Sequence, residues 1–147
     1  MNDRLMFDTN VLVAATVCSH PHHALTHGTL LEHLNARKPW CLTWSVIYEF
    51  LRVTTHPKVF SRPLPFQVAL KTVTNLLYHP FLEVLQETPR HHEVVGELAL
   101  VAGSVSGNFI HDCHIAALMV ENDVHRIVTF DTHFRRFPQL KVAVPGQ

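Results

Sequence analysis

Short apolar segments alternate with longer helical patterns along the whole chain, and this alternation limits the folds that the sequence can adopt. Short apolar runs bounded by turn residues are typical of buried strands. Strands that are joined by helices form parallel sheets whose two faces are both covered. The sequence therefore predicts an α/β fold with a central, mostly parallel, five-stranded sheet and helices on both faces.

The predicted strands and helices follow one another with no long interruption. The strands are LMF at 5–7, WCLT at 40–43, FLEVLQ at 81–86, RIVTF at 126–130 and LKVAV at 140–144. The helices are predicted at 10–17, 21–37, 46–55, 66–78, 89–102 and 109–122, with a short helix before the last strand. Pro21 suits a first helical position, and Ser45 can cap the third helix. No repeat or long linker divides the chain, so residues 1–147 are predicted to form one domain.

Composition excludes several classes of protein. Apolar residues make up 47% of the chain and charged residues 16%, which excludes a disordered protein. No apolar run approaches the roughly 20 residues that span a bilayer, and the N-terminus lacks the layout of a signal peptide. Cys18, Cys41 and Cys113 are odd in number and far apart, so we expect reduced core residues of a cytoplasmic protein.

Two aspartates lie at the ends of predicted strands. Asp8 directly follows LMF, and Asp131 directly follows RIVTF. In open α/β sheets, ligands bind beyond the carboxyl ends of the strands, at the point where the strand order reverses. The two carboxylates are therefore candidates for one shared crevice, although Asp8 can also be explained as a helix cap.

Two further acids lie within apolar helical sequence. Glu49 lies at the edge of the stripe formed by Val46, Phe50 and Val53. Asp112 falls on the core-facing side of its helix and in the first turn, where the helix dipole stabilises an anion by only roughly 0.3–1 kcal/mol. A solvated helix edge and a helix-start acid are the alternative explanations.

Clustered carboxylates repel one another unless a cation lies among them. Oxygen ligands select hard cations, so Mg²⁺ or Mn²⁺ suits such a cluster better than Zn²⁺. Such an ion can activate water for attack on phosphorus and can stabilise the charge of the transition state. The four acids together therefore predict a catalytic metal site.

Basic residues are unevenly distributed, although the net charge is zero, with 12 basic and 12 acidic residues. Two segments, 50–82 and 132–147, contain basic residues and no acid. Their basic residues are Arg52, Lys58, Arg62, Lys71, Arg135, Arg136 and Lys141. These segments could form a face that attracts phosphate, and an ordinary solvated surface is the alternative.

The 13 histidines are scattered along the chain. The segment HPHH at 20–23 and the pair at 91–92 lack zinc-site spacing with cysteines, so both are predicted to be exposed helix starts. His111 and His114 flank Asp112, but their offsets place them on different faces of the helix. This argues against a zinc site there.

Four short motifs resemble those of PIN-domain nucleases: FDTNVLV at 7–13, Glu49 in YEFLRV, DCHIAAL at 112–118 and TFDTHF at 129–134. Their order and spacing, and the segment RVTTHPKVFSRPLP, resemble the VapC toxins of bacterial VapBC toxin–antitoxin pairs. The resemblance covers essentially the whole chain. It implies a metal-dependent endoribonuclease that cuts structured RNA such as tRNA or ribosomal RNA, a homodimer, and neutralisation by a small VapB-type antitoxin.

The resemblance also implies roles for individual residues. Asp8, Asp112 and Asp131 would be catalytic acids that bind Mg²⁺, with Mn²⁺ as a substitute, and Glu49 would be a fourth catalytic acid that positions a water. Asn10 and Thr129 would support these acids by hydrogen bonds, with capping or strand packing as the alternative. The residues expected to contact RNA are Arg52, Lys58, Arg62 and Arg135.

One position departs from the family pattern. Many relatives carry a further acid two residues after the last aspartate, and this chain has His133 there. Because histidine titrates near pH 6.5, His133 could lower the metal affinity or make it depend on pH. A solvent-facing His133 without such a role is the alternative.

Other functions fit the sequence less well. A catalytically inactive PIN-like protein that binds RNA or a partner is the main alternative, but all four acids are present. A phosphatase of the haloacid dehalogenase type needs a second acid at the position of Asn10. The lack of a glycine-rich loop after the first strand argues against a dinucleotide enzyme.

Overall fold

A five-stranded parallel sheet forms the centre of the protein in a computed structural model that describes residues 3–147. Its strands are β1 (Leu5–Phe7), β2 (Trp40–Thr43), β3 (Leu82–Leu85), β4 (Arg126–Val128) and β5 (Lys141–Ala143). Their spatial order is β3-β2-β1-β4-β5, and every ladder is parallel. The chain moves outward in opposite directions from β1, so the strand order reverses between β1 and β4. The predicted α/β fold is confirmed, and the sheet is wholly parallel.

Within residues 3–147, six helices and one 3₁₀ helix connect the strands. They are α1 (Thr9–Thr16), α2 (His23–Asn35), α3 (Trp44–Thr54), α4 (Phe66–Leu77), α5 (His91–Ala102), α6 (Phe109–Glu121) and the 3₁₀ helix Thr132–Arg136. Helix α1 packs against α2 and α3, α3 packs against α4, and α5 packs against α6. Because crossovers between parallel strands are right-handed as a rule and the chain moves in opposite directions from β1, these two groups belong on opposite faces of the sheet. Within the described residues, no helix has both the length and the apolar character needed to cross a membrane.

The core is built around β1, β2 and helix α6. Phe7 packs edge-on against Trp40 with ring centroids 5.7 Å apart, and the Trp40 indole N–H donates to Nδ1 of His79 at 3.0 Å. This bond satisfies the polar atom of a fully buried tryptophan. On α6, the small side chains of Ala116 and Ala117 are fully buried and allow close packing of the helix.

Four helix starts differ from the sequence prediction by one or two residues, those of α1, α2, α3 and α5. Helix α2 begins at His23, and Pro21 lies in the turn before it. The cap of α3 is Thr43, because β2 passes into α3 without a loop. The Thr43 hydroxyl accepts the N–H of Val46 at 3.1 Å, and the hydroxyl of Ser45 lies 2.8 Å from that of Thr43. Ser45 therefore supports the cap and does not form it.

The three cysteines are free thiols with different environments. Cys41 and Cys113 are buried as predicted, and burial raises the pKa of the Cys41 thiol to about 12. Cys18 is exposed, so the prediction of a core residue is wrong there. It follows Val17, the residue that ends α1, at the point where the chain leaves the core.

Candidate active site

Asp8 lies where β1 passes into α1, and its carboxylate is held by residues of two elements. Oδ1 accepts the N–H of Thr9 at 2.8 Å, which caps α1. Oδ2 accepts the hydroxyl proton of Thr129 at 2.7 Å. Asp8 is only 7% exposed, and this burial raises its pKa despite the two hydrogen bonds. The helix cap inferred from sequence is therefore real, and it also fixes the direction of a buried carboxylate.

Asn10 and Thr129 join the start of α1 to the residues that follow β4. The Asn10 amide donates to the Thr129 hydroxyl oxygen at 3.1 Å, and its Oδ1 accepts the N–H of Phe130 at 3.2 Å. The same hydroxyl oxygen accepts the N–H of Asp131 at 2.9 Å. Thr129 is fully buried. These contacts hold Asp8 and Asp131 beside each other at the reversal of strand order.

Asp112, Asp131 and His133 form a cluster next to Asp8. One ligand atom from each of the three lies within 4.8 Å of the others. Burial, and after it the negative charges of Asp131 and Asp8, together raise the pKa of Asp112 to about 7. The contribution of these neighbouring charges means that the carboxylates repel one another, in addition to the cost of burying a charged Asp112.

His133 is both exposed and paired. Its side chain is 72% exposed, as expected for a solvent-facing residue, but Nδ1 lies 3.2 Å from Oδ1 of Asp131. The backbone N–H of His133 donates to the same oxygen at 2.9 Å. His133, the position that departs from the family pattern, therefore contacts Asp131.

Glu49 reaches the same cleft from α3. Its two carboxylate oxygens accept hydrogen bonds from Arg52 at 3.0 and 2.6 Å, and this pairing lowers the pKa of Glu49. Its charge contributes to the raised pKa of Asp8, so Glu49 acts electrostatically on Asp8. Arg52, which we expected to contact RNA, is thus also the partner of an acid.

All four acids line one open cleft with a volume of about 1190 Å³. Sequence reasoning did not assign a cleft position to several other lining residues, which include His20, Ser45, Tyr48, Asn108 and His111. Two of these could have been inferred from the sequence, because His111 is adjacent to Asp112 and Tyr48 is adjacent to Glu49. The charge of His111 contributes to the lowered pKa of Glu49.

Three of the four residues that we expected to contact RNA lie outside the lining of this cleft. Arg52 lines it, as do Val59 and Phe60 of the loop after α3. Lys58 and Arg62 belong to that same loop, and both are exposed. Arg135 is also exposed and lies on the 3₁₀ helix that follows Asp131.

The donor atoms of the cluster fit a divalent cation. Two carboxylates of the cluster, Asp112 and Asp131, supply oxygen ligands beside Asp8, and His133 adds one imidazole nitrogen at the exposed side. A bound cation would offset both the burial and the neighbouring negative charges that raise the pKa of Asp112. The observed donors therefore have the chemistry of a divalent-metal site.

Comparison with known proteins is consistent with this geometry. A sequence model of the PIN domain matches residues 5–140. The chain belongs to the PIN-domain family. Ribonuclease VapC33 of Mycobacterium tuberculosis is 31% identical over 138 residues, which are 94% of this chain and 95% of the relative. Ribonuclease VapC43 of the same organism is 35% identical over 137 residues, 93% and 92% of the two chains. The resemblance to VapC proteins is confirmed.

Solved structures share the fold of this PIN domain. VapBC2 from Rickettsia felis, bound to a DNA fragment from its promoter, aligns with a TM-score of 0.67 at 20% identity and covers 97% of this chain and 98% of that chain. Mycobacterium tuberculosis VapC20, described as a sarcin–ricin loop cleaving toxin, aligns with a TM-score of 0.61 at 17% identity, over 89% and 92%.

The first prediction concerns the hydroxyl of Thr129 in this PIN domain. Thr129→Val keeps the side-chain shape and removes the group that donates to Asp8 and accepts from Asp131. Leaving these buried groups without a partner should lower the free energy of unfolding by about 1–3 kcal/mol. Thr129→Ser keeps the hydroxyl, so it should retain most of the wild-type free energy of unfolding. Urea unfolding measures this free energy for each variant. Thr74→Val, at an exposed position on α4, is the control, and equal losses in both valine variants would contradict the prediction.

Proposed function

We propose that this PIN domain is a Mg²⁺-dependent endoribonuclease that hydrolyses phosphodiester bonds in structured RNA, either tRNA or ribosomal RNA. We further propose that it is the toxin of a type II toxin–antitoxin pair. The observation that carries the proposal is the convergence of Asp8, Asp112 and Asp131 beyond the ends of β1 and β4, in one cleft with Glu49. The relatives named ribonucleases support an RNA substrate.

Asp8, Asp112 and Asp131 are the residues that would hold Mg²⁺, with Mn²⁺ as a substitute. When bound, the ion would lower the pKa of the attacking water and neutralise charge on the phosphate. Thr9 and Thr129 orient Asp8. Asp112, whose pKa is about 7, must lose its proton before it can act as a ligand.

Glu49 and Asn10 complete the proposed catalytic arrangement. Arg52 holds both oxygens of Glu49, and the lowered pKa keeps this carboxylate ionised at neutral pH. An ionised carboxylate in the cleft can accept a hydrogen bond from the attacking water and so orient it. A carboxylate with a low pKa is a weak base, so we assign Glu49 to water positioning. Asn10 supports the site through its bonds to Thr129 and Phe130.

We propose two protein partners, a small VapB-type antitoxin and a second copy of this chain. Structures of VapBC complexes from several bacteria share this fold. Large apolar side chains that remain exposed would suit protein contacts. They include Tyr78, Leu100, Val101 and Ile110. A short upstream reading frame that encodes a DNA-binding protein would support the toxin assignment.

The activity can be tested with purified protein and total RNA. Incubation in Mg²⁺ should produce discrete RNA fragments, because a structure-specific endoribonuclease cuts few sites. EDTA should stop the cleavage, and added Mn²⁺ should restore it. Tight RNA binding without cleavage in any divalent cation would favour the alternative, a catalytically inactive PIN-like binding protein. Cleavage that continues in EDTA would exclude a metal-dependent activity.

The second prediction concerns the basic residues near the cleft. In a cleavage-inactive Asp8→Asn background, changing Arg52, Lys58 and Arg62 together to glutamine should weaken RNA binding. Each lost phosphate contact makes the dependence of log K on log salt less steep by roughly 0.7–0.9, so the slope should change by about 2–3. Fluorescence anisotropy at several salt concentrations measures this slope.

The control for this prediction is a second triple variant with the same change of charge. Lys71, Arg126 and Lys141 are exposed and do not line the cleft, so their replacement by glutamine should change the slope much less. Equal slopes in the two triple variants would place the RNA elsewhere on the surface. Because Arg52 also pairs with Glu49, a Lys58→Gln, Arg62→Gln double variant isolates the contribution of the loop.

A further inference from the structure

We propose that Glu87, His91 and His114 form a second metal site, for Zn²⁺, that is separate from the cleft. Glu87 lies in the loop after β3, His91 is the first residue of α5, and His114 lies on α6. None of the three lines the cleft. The proposal does not depend on the proposed nuclease activity.

The three side chains already lie near one another. One ligand atom from each lies within 4.8 Å of the other two, and Nε2 of His114 lies 2.9 Å from Oε1 of Glu87. The two imidazole rings meet edge to face with centroids 5.5 Å apart. Ligands about 2.0–2.1 Å from tetrahedral zinc are about 3.4 Å from one another. Side-chain rotation without movement of the backbone can therefore complete the site.

A buried carboxylate orients His91. The side chain of Glu121 is 1% exposed, and its Oε2 lies 2.6 Å from Nδ1 of His91. A carboxylate at Nδ1 favours the tautomer with a proton on that nitrogen, which leaves the lone pair of Nε2 for a metal. This carboxylate–histidine–metal arrangement is the usual support of a zinc-binding histidine.

The loop that carries Glu87 is fastened on both sides of that residue. Before it, the carbonyl of Gln86 accepts the side-chain amide of Asn122 at 2.9 Å. After it, the N–H of Thr88 donates to Oε1 of Glu121 at 2.6 Å. Both partners belong to the end of α6. The backbone of this loop is thus held in place, which lowers the entropic cost of metal binding.

The donor set distinguishes this site from the cleft. Two imidazoles and one carboxylate suit Zn²⁺ and related borderline cations, whereas Mg²⁺ prefers oxygen ligands. Three protein ligands leave a fourth position for water. Without a metal, the Glu87–His114 pair is a surface ion pair whose side chains are 54% and 34% exposed, and such pairs contribute about 1 kcal/mol or less.

A metal at this site would join the loop after β3 and the start of α5 to α6. Helix α6 also carries Asp112 in its first turn. Since the ion would bind the folded chain through ligands from three segments, it should stabilise the fold. We therefore assign a structural role to this site, with no contribution to the chemistry in the cleft.

The test uses the full chain with Asp131→Asn, which removes one of the proposed ligands from the cleft. Isothermal titration with Zn²⁺ should show one ion per chain. Titration with Co²⁺ should produce visible d–d absorption bands typical of nitrogen and oxygen ligands. Zn²⁺ should also raise the melting temperature. In the same background, Glu87→Gln and His114→Gln should each weaken Zn²⁺ binding by roughly tenfold or more, comparable to known losses of supporting residues.

Matched variants serve as controls. Glu93→Gln and His92→Gln change the same residue types at exposed positions on α5, and both should bind Zn²⁺ like the parent protein. His91→Asn removes a partner of buried Glu121 and could unfold the chain, so Glu87→Gln and His114→Gln decide the matter. Absence of Zn²⁺ binding, or binding that survives both of these changes, would overturn the proposal. Equal loss in the controls would also overturn it.

Discussion

Asp8→Asn is expected to reduce RNA cleavage by about a hundredfold or more while the protein remains folded. The change keeps the size of the side chain and removes a charged ligand from the proposed metal site. Loss of even a supporting residue around a metal commonly costs about 10–100-fold in activity or affinity, so loss of a ligand should cost at least the upper value. Cleavage rates with Mg²⁺ in excess measure the effect.

Structure and growth provide independent checks of the same variant. The folded state should persist because an asparagine oxygen can still accept the N–H of Thr9 or the hydroxyl proton of Thr129. Circular dichroism should be unchanged, and expression should no longer arrest growth. The matched control is Asp123→Asn, at an exposed position with φ of 60°, which asparagine readily adopts. A fully active Asp8→Asn protein would exclude Asp8 as a ligand.

Asp112→Asn is expected to melt at the same or a higher temperature than the wild type when both are measured in EDTA at pH 7–8. Folding raises the pKa of Asp112 from 3.8 to about 7, first through burial and then through the charges of Asp131 and Asp8. After allowance for screening by solvent, removal of this charge should add about 1–2 kcal/mol to the free energy of unfolding. For a chain of this length, that is a rise of roughly 2–8 °C.

The dependence on pH follows from the direction of this shift. Between pH 3.8 and about 7, the folded state keeps a proton that the unfolded chain releases. The contribution of Asp112 to stability is therefore present in full below pH 3.8 and is lost as the pH rises through about 7. The advantage of Asp112→Asn over the wild type should grow over this range, which urea unfolding at several pH values can measure.

Metal binding should reverse the order of the two proteins. Millimolar Mg²⁺ or Mn²⁺ should raise the melting temperature of the wild type, because the ion binds the folded state, and should raise that of Asp112→Asn much less. If Asp112 is only a helix-start acid, Asp112→Asn should be less stable, and metal should affect neither protein. Glu93→Gln, which changes the first-turn acid of α5, is the control for that helix-dipole effect and should keep the metal response.

Much of the architecture was accessible from the sequence. The strand WCLT has the bounds observed for β2, and RIVTF contains the shorter β4. Strands of a sheet that is buried on both faces are continuous apolar runs, and such runs are easy to recognise in a sequence. The starts of α2 and α3 were less accessible. Thr43 and Ser45 have similar capping ability, and only the direct passage of β2 into α3 selects Thr43.

The acids of the candidate site were predicted because their positions conflict with their surroundings. A carboxylate after a buried strand or on the core side of a helix stands out from the sequence alone. Whether these acids bind a metal stays a prediction. The pairing of Arg52 with Glu49 and the contact of His133 with Asp131 were not predicted. Both are short-range pairs, but they depend on side-chain direction, which sequence spacing does not specify.

The histidine pair at 91–92 shows most clearly what the sequence could not predict. His91 was predicted to be an exposed helix start, but it is half-buried against Glu121 and lies beside His114.

The sequence by itself determined the α/β class, the order of the strands along the chain and the acids that conflict with their surroundings, because hydrophobic periodicity is a local property. Only the tertiary structure decided which strands are neighbours and which distant side chains meet, because the packing of helices across the sheet joins residues that no local pattern relates.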